Sequence, residues 1–247
     1  MARDERIVEL VDKHGFQSVA GLAGMFDVDA STIRRDLERL AAKGLVVRTH
    51  GGAAPFGEGQ REPGNASGSH LAEKRSIGAA MAQRLHENQT VLLDGGTTCI
   101  EVARHLRRMR LTVVTHDLRV GIELAGNPDV NLVFVGGELL PTTTSMWGPT
   151  SLQQIENLRV NVAVFGAEGV TDDGIYAMSS YQVELKRKMR AIAGQAFFVA
   201  DSTKFGRDAL FKVFGFEDFT AGITDDALDP IRAAACPVPL IRVSAKG

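Results

Sequence analysis

Apolar positions near the N-terminus recur at helical intervals. From Arg3 to His14, the residues Ile7, Val8, Leu10 and Val11 gather on one face of a helical wheel, and the pattern stops at Gly15. After Ser18, whose hydroxyl suits a helix N-cap, Val19, Leu22, Ala23 and Phe26 follow at i, i+3, i+4 and i+7. The short "DVD" supplies a turn. A longer third helix starts at Asp29 or Ser31, either of which can accept an orphan backbone N–H, and runs to Gly44 with Ile33, Leu37, Leu40 and Ala41 turned inward. Leu45 to Thr49 then looks like one arm of a β-ribbon turning at Gly51 and Gly52. Two short helices, a tight turn, a longer helix and a ribbon predict a winged helix-turn-helix over residues 1–53.

The periodicity lapses over residues 54–70, "APFGEGQREPGNASGSH", which hold two prolines and four glycines and predict a linker. Residues 71–247 then alternate. Apolar runs beginning at Thr90, Leu111, Val130, Val160 and Gln195, with further candidates "AGITDD" and "PLIRVS", predict strands. The stretches "LAEKRSIGAAMAQRL", "TTCIEVARHLRR", "DLRVGIELAG" and "SSYQVELKRKMRAIAG" predict helices. Continuous apolar strands between helices indicate a mainly parallel sheet covered on both faces, so the expected class is α/β.

Composition narrows the function. The chain has 247 residues, 44% hydrophobic and 23% charged, with a formal net charge of -2. Only a local concentration of base can therefore argue for nucleic acid. Cys99 and Cys236 lie far apart with no Cys/His cluster around them, so neither a disulfide framework nor a metal site is expected, and no cofactor motif stands out. The charged start lacks an apolar h-region and no run approaches a membrane span, which points to the cytoplasm and away from a membrane.

Base is concentrated on the third helix. Residues 1–53 carry eight Lys/Arg and eight Asp/Glu, yet between Ser31 and Arg48 there are five bases against two acids. With Ile33, Leu37 and Leu40 inward, Ser31, Thr32, Arg34, Arg35, Arg39 and Lys43 lie largely outside, and Arg35, Arg39 and Lys43 repeat at i, i+4 and i+8. Like charges so spaced repel, and DNA phosphates would relieve them. The helix would enter the major groove, with Arg48 and His50 of the wing reaching the adjacent backbone or minor groove. A solvated face, with Arg34 paired to Glu38 at i, i+4, is the competing structural account.

The stretch "STIRRDLERLAAKGLVVRTHGGA" resembles the N-terminal signature of the DeoR/GlpR family of bacterial transcriptional regulators, most specifically over Thr32 to Leu37 and Arg48 to Ala53. Asp29 departs from that pattern, which commonly has a serine there.

Small and polar residues collect where the predicted strands end: Asp94 to Thr98, Thr115 to Asp117, Gly136 to Glu138, Glu168 and Gly169, and Asp201 to Lys204. In an open parallel sheet these ends carry the ligand site. "LDGGTTC" can cradle an anion at a helix start or simply form a tight capped turn; "ADSTKFG" can pair Lys204 with a phosphate and Asp201 with hydroxyls, or hold a surface ion pair. His116 suits a ligand contact, although a lone histidine is more often structural, and Trp147 suits stacking on a sugar or a core or lid role equally. "EKRSIG", "LDGGTT", "VVTHDL", "GGE", "GAEGV" and "DSTKFGRDAL" are similar, in order, to the sensor domain of the same family, which is related to ribose-5-phosphate isomerase and CoA transferases. That resemblance implies a phosphorylated sugar as effector, with Asp94, Gly96, Thr97, Thr98, Thr115, Asp117, Gly137, Asp201 and Lys204 as its contacts; His116 stands where an asparagine is common.

The expected function is a transcriptional repressor of a carbohydrate-catabolism operon, bound to double-stranded operator DNA and released by a phosphorylated sugar. One winged helix reads a half-site, so a homodimer or homotetramer is implied. The alternative is a sugar-phosphate isomerase-like enzyme with an attached DNA-binding module, using Glu168 or Glu184 as base. For Glu184, pairing with Lys188 at i+4 is the structural account, and no catalytic residue is expected.

Overall fold

The N-terminal helices form where their apolar faces can close on one another. The computed structural model describes residues 3–14, 16–49, 51–55, 70–140 and 143–245. Helix α1 (Arg3–His14), strand β1 (Gln17–Ser18), helices α2 (Val19–Phe26) and α3 (Ala30–Ala42), and strands β2 (Val46–Thr49) and β3 (Gly52–Pro55) make the first unit. The Ser18 hydroxyl accepts from the Gly21 N–H at 2.9 Å and so caps α2. Asp29 occupies the N-cap of α3 through its backbone alone. Ile7, Val11, Leu22, Ile33, Leu37, Leu40 and Val46 are buried together, each such burial stabilising by about 1.5–3 kcal/mol. The ribbon is three-stranded, in the antiparallel order β1-β3-β2, and includes Ala54 and Pro55. Residues 56–69, the body of the expected linker, lie outside the described residues.

The second unit begins with α4 (Leu71–Ala82), β4 (Thr90–Leu93), α5 (Thr97–Arg104), β5 (Leu111–Thr115), α6 (Leu118–Leu124) and β6 (Val130–Phe134). It continues through the short pair β7 (Glu138–Leu139) and β8 (Met146–Trp147), then α7 (Pro149–Glu156) and β9 (Val160–Gly166). After these come β10 (Gly169–Thr171), β11 (Gly174–Ala177), α8 (Ser180–Ala191), β12 (Ala193–Val199), β13 (Phe211–Phe214), β14 (Ala221–Asp225), α9 (Pro230–Ala234) and β15 (Leu240–Val243). Seven strands form one parallel sheet in the order β15-β14-β12-β9-β4-β5-β6, and β10, β11 and β13 form a small antiparallel sheet beside it.

Both faces of the parallel sheet are covered, as its unbroken apolar strands require. One face packs on α4, α5 and α6 through Ile77, Met81, Ile100, Val102, Val120 and Leu124. The other packs on α7, α8 and the small sheet through Ile155, Ile175, Leu185, Met189 and Val213. There Phe165, Phe198, Phe214 and Phe219 meet edge to face. Gly78 lets α4 lie directly on α5, since a Cβ there would stand 2.6 Å from the Glu101 carbonyl carbon.

The chain winds outward from β4 through β5 to β6, then crosses to β9 on the far side of β4 and winds the other way. The order therefore reverses between β4 and β9, and a crevice opens at their carboxyl ends. Among the described residues no helix is long and apolar enough to cross a membrane.

Candidate functional site

On α3 the buried face holds Ile33, Leu37 and Leu40 together with Asp36, a carboxylate only 3% exposed. A buried charge must be matched, and Asp36 meets Arg3 Nε and Arg39 Nη2, each at 2.7 Å. Arg39 also grips Asp4 in bidentate fashion, Nη2 to Oδ1 at 2.6 Å and Nε to Oδ2 at 3.2 Å. The hydrogen bond from Arg39 holds the Asp4 carboxyl below the usual carboxylate range, and those with Asp4 and Asp36 raise the Arg39 guanidinium. Arg39 thus joins α1 to α3 rather than standing free on the outer strip, because a buried acid on its own helix and an acid on α1 draw it inward. The repulsion expected along Arg35, Arg39 and Lys43 is relieved inside the chain.

Ser31, Arg34, Arg35 and Lys43 are exposed and Thr32 is half-buried. The guanidinium groups of Arg34 and Arg35 make no hydrogen bond or ion pair among the described residues. Glu38 pairs not with Arg34 but with Arg48, whose Nη1 donates to Glu38 Oε1 at 3.3 Å and to the Arg34 carbonyl at 3.1 Å. The wing strand is thereby clipped to the outer side of α3. His50 lies outside the described residues.

The crevice at the sheet's reversal is a cavity of about 150 Å³. Its walls include Asp94, Gly95, Gly96, Thr97 and Thr98 from β4 and the start of α5; His116, Asp117 and Arg119 after β5; and Thr143 to Trp147. Glu168, Tyr181, Gln182, Lys186, Lys204 and Arg207 complete them. Gly96 takes φ of 110° at the N-cap of α5, a region open to glycine, and as a glycine it offers no side chain to cap that helix. The amides of its first turn and the helix dipole there favour an anion.

Two buried charges set the floor. Asp94 Oδ2 receives Lys186 Nζ at 2.7 Å and the Gly166 N–H at 3.1 Å. Burial opposes the charge on Lys186, but Asp94 and Glu168 outweigh it and raise the ammonium. His116 Nε2 lies 3.8 Å from Asp94 Oδ1. Burial pushes the Cys99 thiol well up beneath this floor, with Asp94 adding to the effect, so it is no nucleophile. Glu168 accepts from the Met178 N–H at 2.6 Å, and Trp147 and Tyr181 meet at the wall with ring centroids 4.4 Å apart.

Six of the nine expected effector contacts, Asp94, Gly96, Thr97, Thr98, Asp117 and Lys204, line the cavity. Asp117 is heavily engaged: Oδ1 accepts from Arg119 N and Val120 N to cap α6, and Oδ2 accepts from the Thr144 and Ser145 hydroxyls. Thr115, Gly137 and Asp201 do not line it. Thr115 is buried and its hydroxyl accepts from the Asp117 N–H at 3.2 Å. Gly137 lies against Ser151 and the Trp147 carbonyl, where a Cβ would collide. Asp201 is fully buried and caps the 3₁₀ turn Ser202–Lys204 by accepting from Thr203. Sequence reasoning missed Lys186, Arg119 and Arg207. Lys186 carried a usable signal, since helical phase puts it beside Leu185 and Met189 on the inner face of α8. Lys188 pairs with Glu156 of α7, and Glu184 is exposed and outside the cavity. Among the described residues no cluster suits a metal ion.

The chain matches the model of the DeoR-like helix-turn-helix domain over residues 3–56 and that of the DeoR C-terminal sensor domain over residues 69–226. It is 33% identical to the transcriptional repressor AccR of Agrobacterium fabrum, across 90% of this chain and 88% of that protein. It is 31% identical to the glycerol-3-phosphate regulon repressor of Escherichia coli, across 90% of each. Ribose 5-phosphate isomerase A of Methanocaldococcus jannaschii superimposes with a TM-score of 0.41 at 12% identity, over 56% of this chain and 55% of that one. A helix-turn-helix with a basic outer face, followed by a doubly covered parallel sheet with a polar crevice, is thus matched along nearly its whole length, and the chain belongs to the DeoR family of transcriptional regulators.

Proposed function

We propose that this regulator represses a carbohydrate-catabolism operon and leaves its operator when a phosphorylated sugar enters the strand-end cleft. The observation that carries the reading is the make-up of the cleft wall. Lys186, Lys204, Arg119 and Arg207 line it together with the first turn of α5, a setting for a phosphate. Asp94, Glu168 and the threonine hydroxyls offer partners for sugar hydroxyls. Two relatives that are repressors, one of them of a glycerol-3-phosphate regulon, support the direction of control.

Operator contact falls to Ser31, Thr32, Arg34, Arg35, Lys43 and Arg48, and by sequence position also to His50. Arg34 and Arg35 have the free donors that guanine edges or phosphates take. Arg39 supports the helix from behind. Two half-sites call for a homodimer or homotetramer, and effector binding lowers operator affinity by favouring an arrangement of subunits less suited to DNA. In this reading the cleft binds its ligand without turnover, in the cytoplasm. A thermal-shift panel tests the reading. A phosphorylated sugar at a hundred times its dissociation constant stabilises the sensor by about 2.7 kcal/mol; no shift with any phosphorylated sugar refutes the cleft as its site.

A further inference from the structure

Arg119 and Arg207 both line the cleft, and both are half-buried. Arg119 lies in the first turn of α6, where its Nε donates to the Thr144 hydroxyl at 3.1 Å. Its side chain makes no other hydrogen bond and no ion pair among the described residues. The acid beside it, Asp117, has both oxygens taken: Oδ1 accepts from Arg119 N and Val120 N, and Oδ2 from the Thr144 and Ser145 hydroxyls. A neutral hydroxyl therefore holds the guanidinium, and the two Nη nitrogens are left as a fork of the kind that fits a phosphate or a carboxylate.

Arg207 follows the 3₁₀ turn after β12, and Gly169 at the start of β10 leaves room for its carbonyl. Its guanidinium makes no hydrogen bond or ion pair among the described residues, with Glu168 or any other acid. In the sheet order β12-β9-β4-β5, the strands leading to Arg207 and Arg119 are three spacings apart, roughly 14 Å. Arg119 is tied to its own wall by Thr144 and stands beside the start of α5, since a Cβ at Gly95 would lie 2.7 Å from Asp117 Oδ2 and 2.9 Å from Ser145 Oγ. A phosphate at that helix start meets Arg119 and leaves Arg207, on the far wall, without an anion. Lys186 needs none, because Asp94 already matches it. A sugar hydroxyl gives a guanidinium only a neutral acceptor, whereas a second anion gives it a charge-assisted, bidentate contact. We propose that Arg119 and Arg207 hold two different anionic groups, so that the effector is a phosphorylated sugar with a second anion, phosphate or carboxylate, at its far end. This rests on the reading of the cleft as a phosphorylated-sugar site and narrows the class of ligand.

Trp147 is the only tryptophan of the chain and shares the cleft wall, so its fluorescence reports occupancy. The full-length protein, Arg207→Gln and Arg119→Gln are titrated with two matched pairs of ligands: fructose 6-phosphate against fructose 1,6-bisphosphate, and glucose 6-phosphate against 6-phosphogluconate. In at least one pair, wild type is expected to bind the doubly anionic member about tenfold or more tightly. An advantage confined to the bisphosphate or to the gluconate supports the proposal and tells which anion the second subsite takes. Arg207→Gln is expected to abolish the advantage, and Arg119→Gln to weaken both members of the pair.

Equal affinity of wild type for both members of each pair overturns the proposal and leaves the cleft reading standing. An advantage that persists in a natively melting Arg207→Gln also overturns it, because both arginines would then grip one phosphate or Arg207 would grip none. If Arg207→Gln does not fold, Arg207→Met, which keeps the apolar stem, is read in the same way. A wild-type protein that answers none of the four ligands removes the cleft reading and this inference together, a result distinct from binding that is indifferent to the second anion.

Discussion

The outer side of α3 and the strand-end cleft are both built from charge, but they hold it in opposite ways. On α3, Arg34 and Arg35 stand in solvent without a protein partner among the described residues, so their charge is available at little cost. In the cleft, Lys186 is 7% exposed and Asp94 1%, and the two are paired at 2.7 Å. Exposed charges suit a large polyanion whose counterions are released on contact. Buried, paired charges suit a small ligand that must displace water and be told apart from its neighbours. Arg39 shows where one regime passes into the other, since it sits among outer bases yet serves the buried Asp36.

The largest expected effect breaks the buried side of this contrast. Lys186→Met leaves Asp94 as an uncompensated buried carboxylate, and sensor stability is predicted to fall by about 3–5 kcal/mol. Thermal unfolding measures it; a loss below about 1 kcal/mol would mean the pair is not the buried contact described. On the exposed side, Arg35→Ala is predicted to leave melting unchanged, weaken operator binding about tenfold and reduce the salt slope by about one. Arg39→Ala is predicted to do the reverse, lowering the melting point of the N-terminal domain while the salt slope holds. Matching slopes for the two variants would contradict the separate roles given to these arginines.

The smallest effect is a pH dependence. Asp4 has its folded value below the ordinary carboxylate value, so the stability it contributes is complete above that ordinary value and is lost as pH falls through the folded one. Acid titration of N-terminal melting should therefore show a shallow decline below about pH 4 that Asp4→Asn lacks. An identical acid profile in the variant would remove the clamp.

What could be read from the sequence follows the same division. The helices of the first unit were legible because Val19, Leu22 and Phe26, or Ile33, Leu37 and Leu40, repeat locally and Ser18 caps by a contact three residues away. Asp36 was not, since its burial depends on Arg3, thirty-three positions earlier. The strand ends of β4 and β5 were found by their glycines, threonines and aspartates. The α7 segment "PTSLQQIE" lacks a strong apolar period, and β10, β11 and β13 have three or four residues each, too few to declare one. Thr115 and Asp201 stand at strand ends, as their chain positions indicate, but both are buried in local hydrogen bonds and do not line the cleft: chain position marks a strand end, whereas local capping decides what the side chain meets.

The most direct test of the central claim is binding of the purified protein to a duplex from its own promoter region at low ionic strength, titrated with phosphorylated sugars. The account predicts retention well above that of an unrelated duplex, and release by a phosphorylated sugar that also raises the melting point. Equal, weak retention on both duplexes, or retention that no phosphorylated sugar alters, would contradict it.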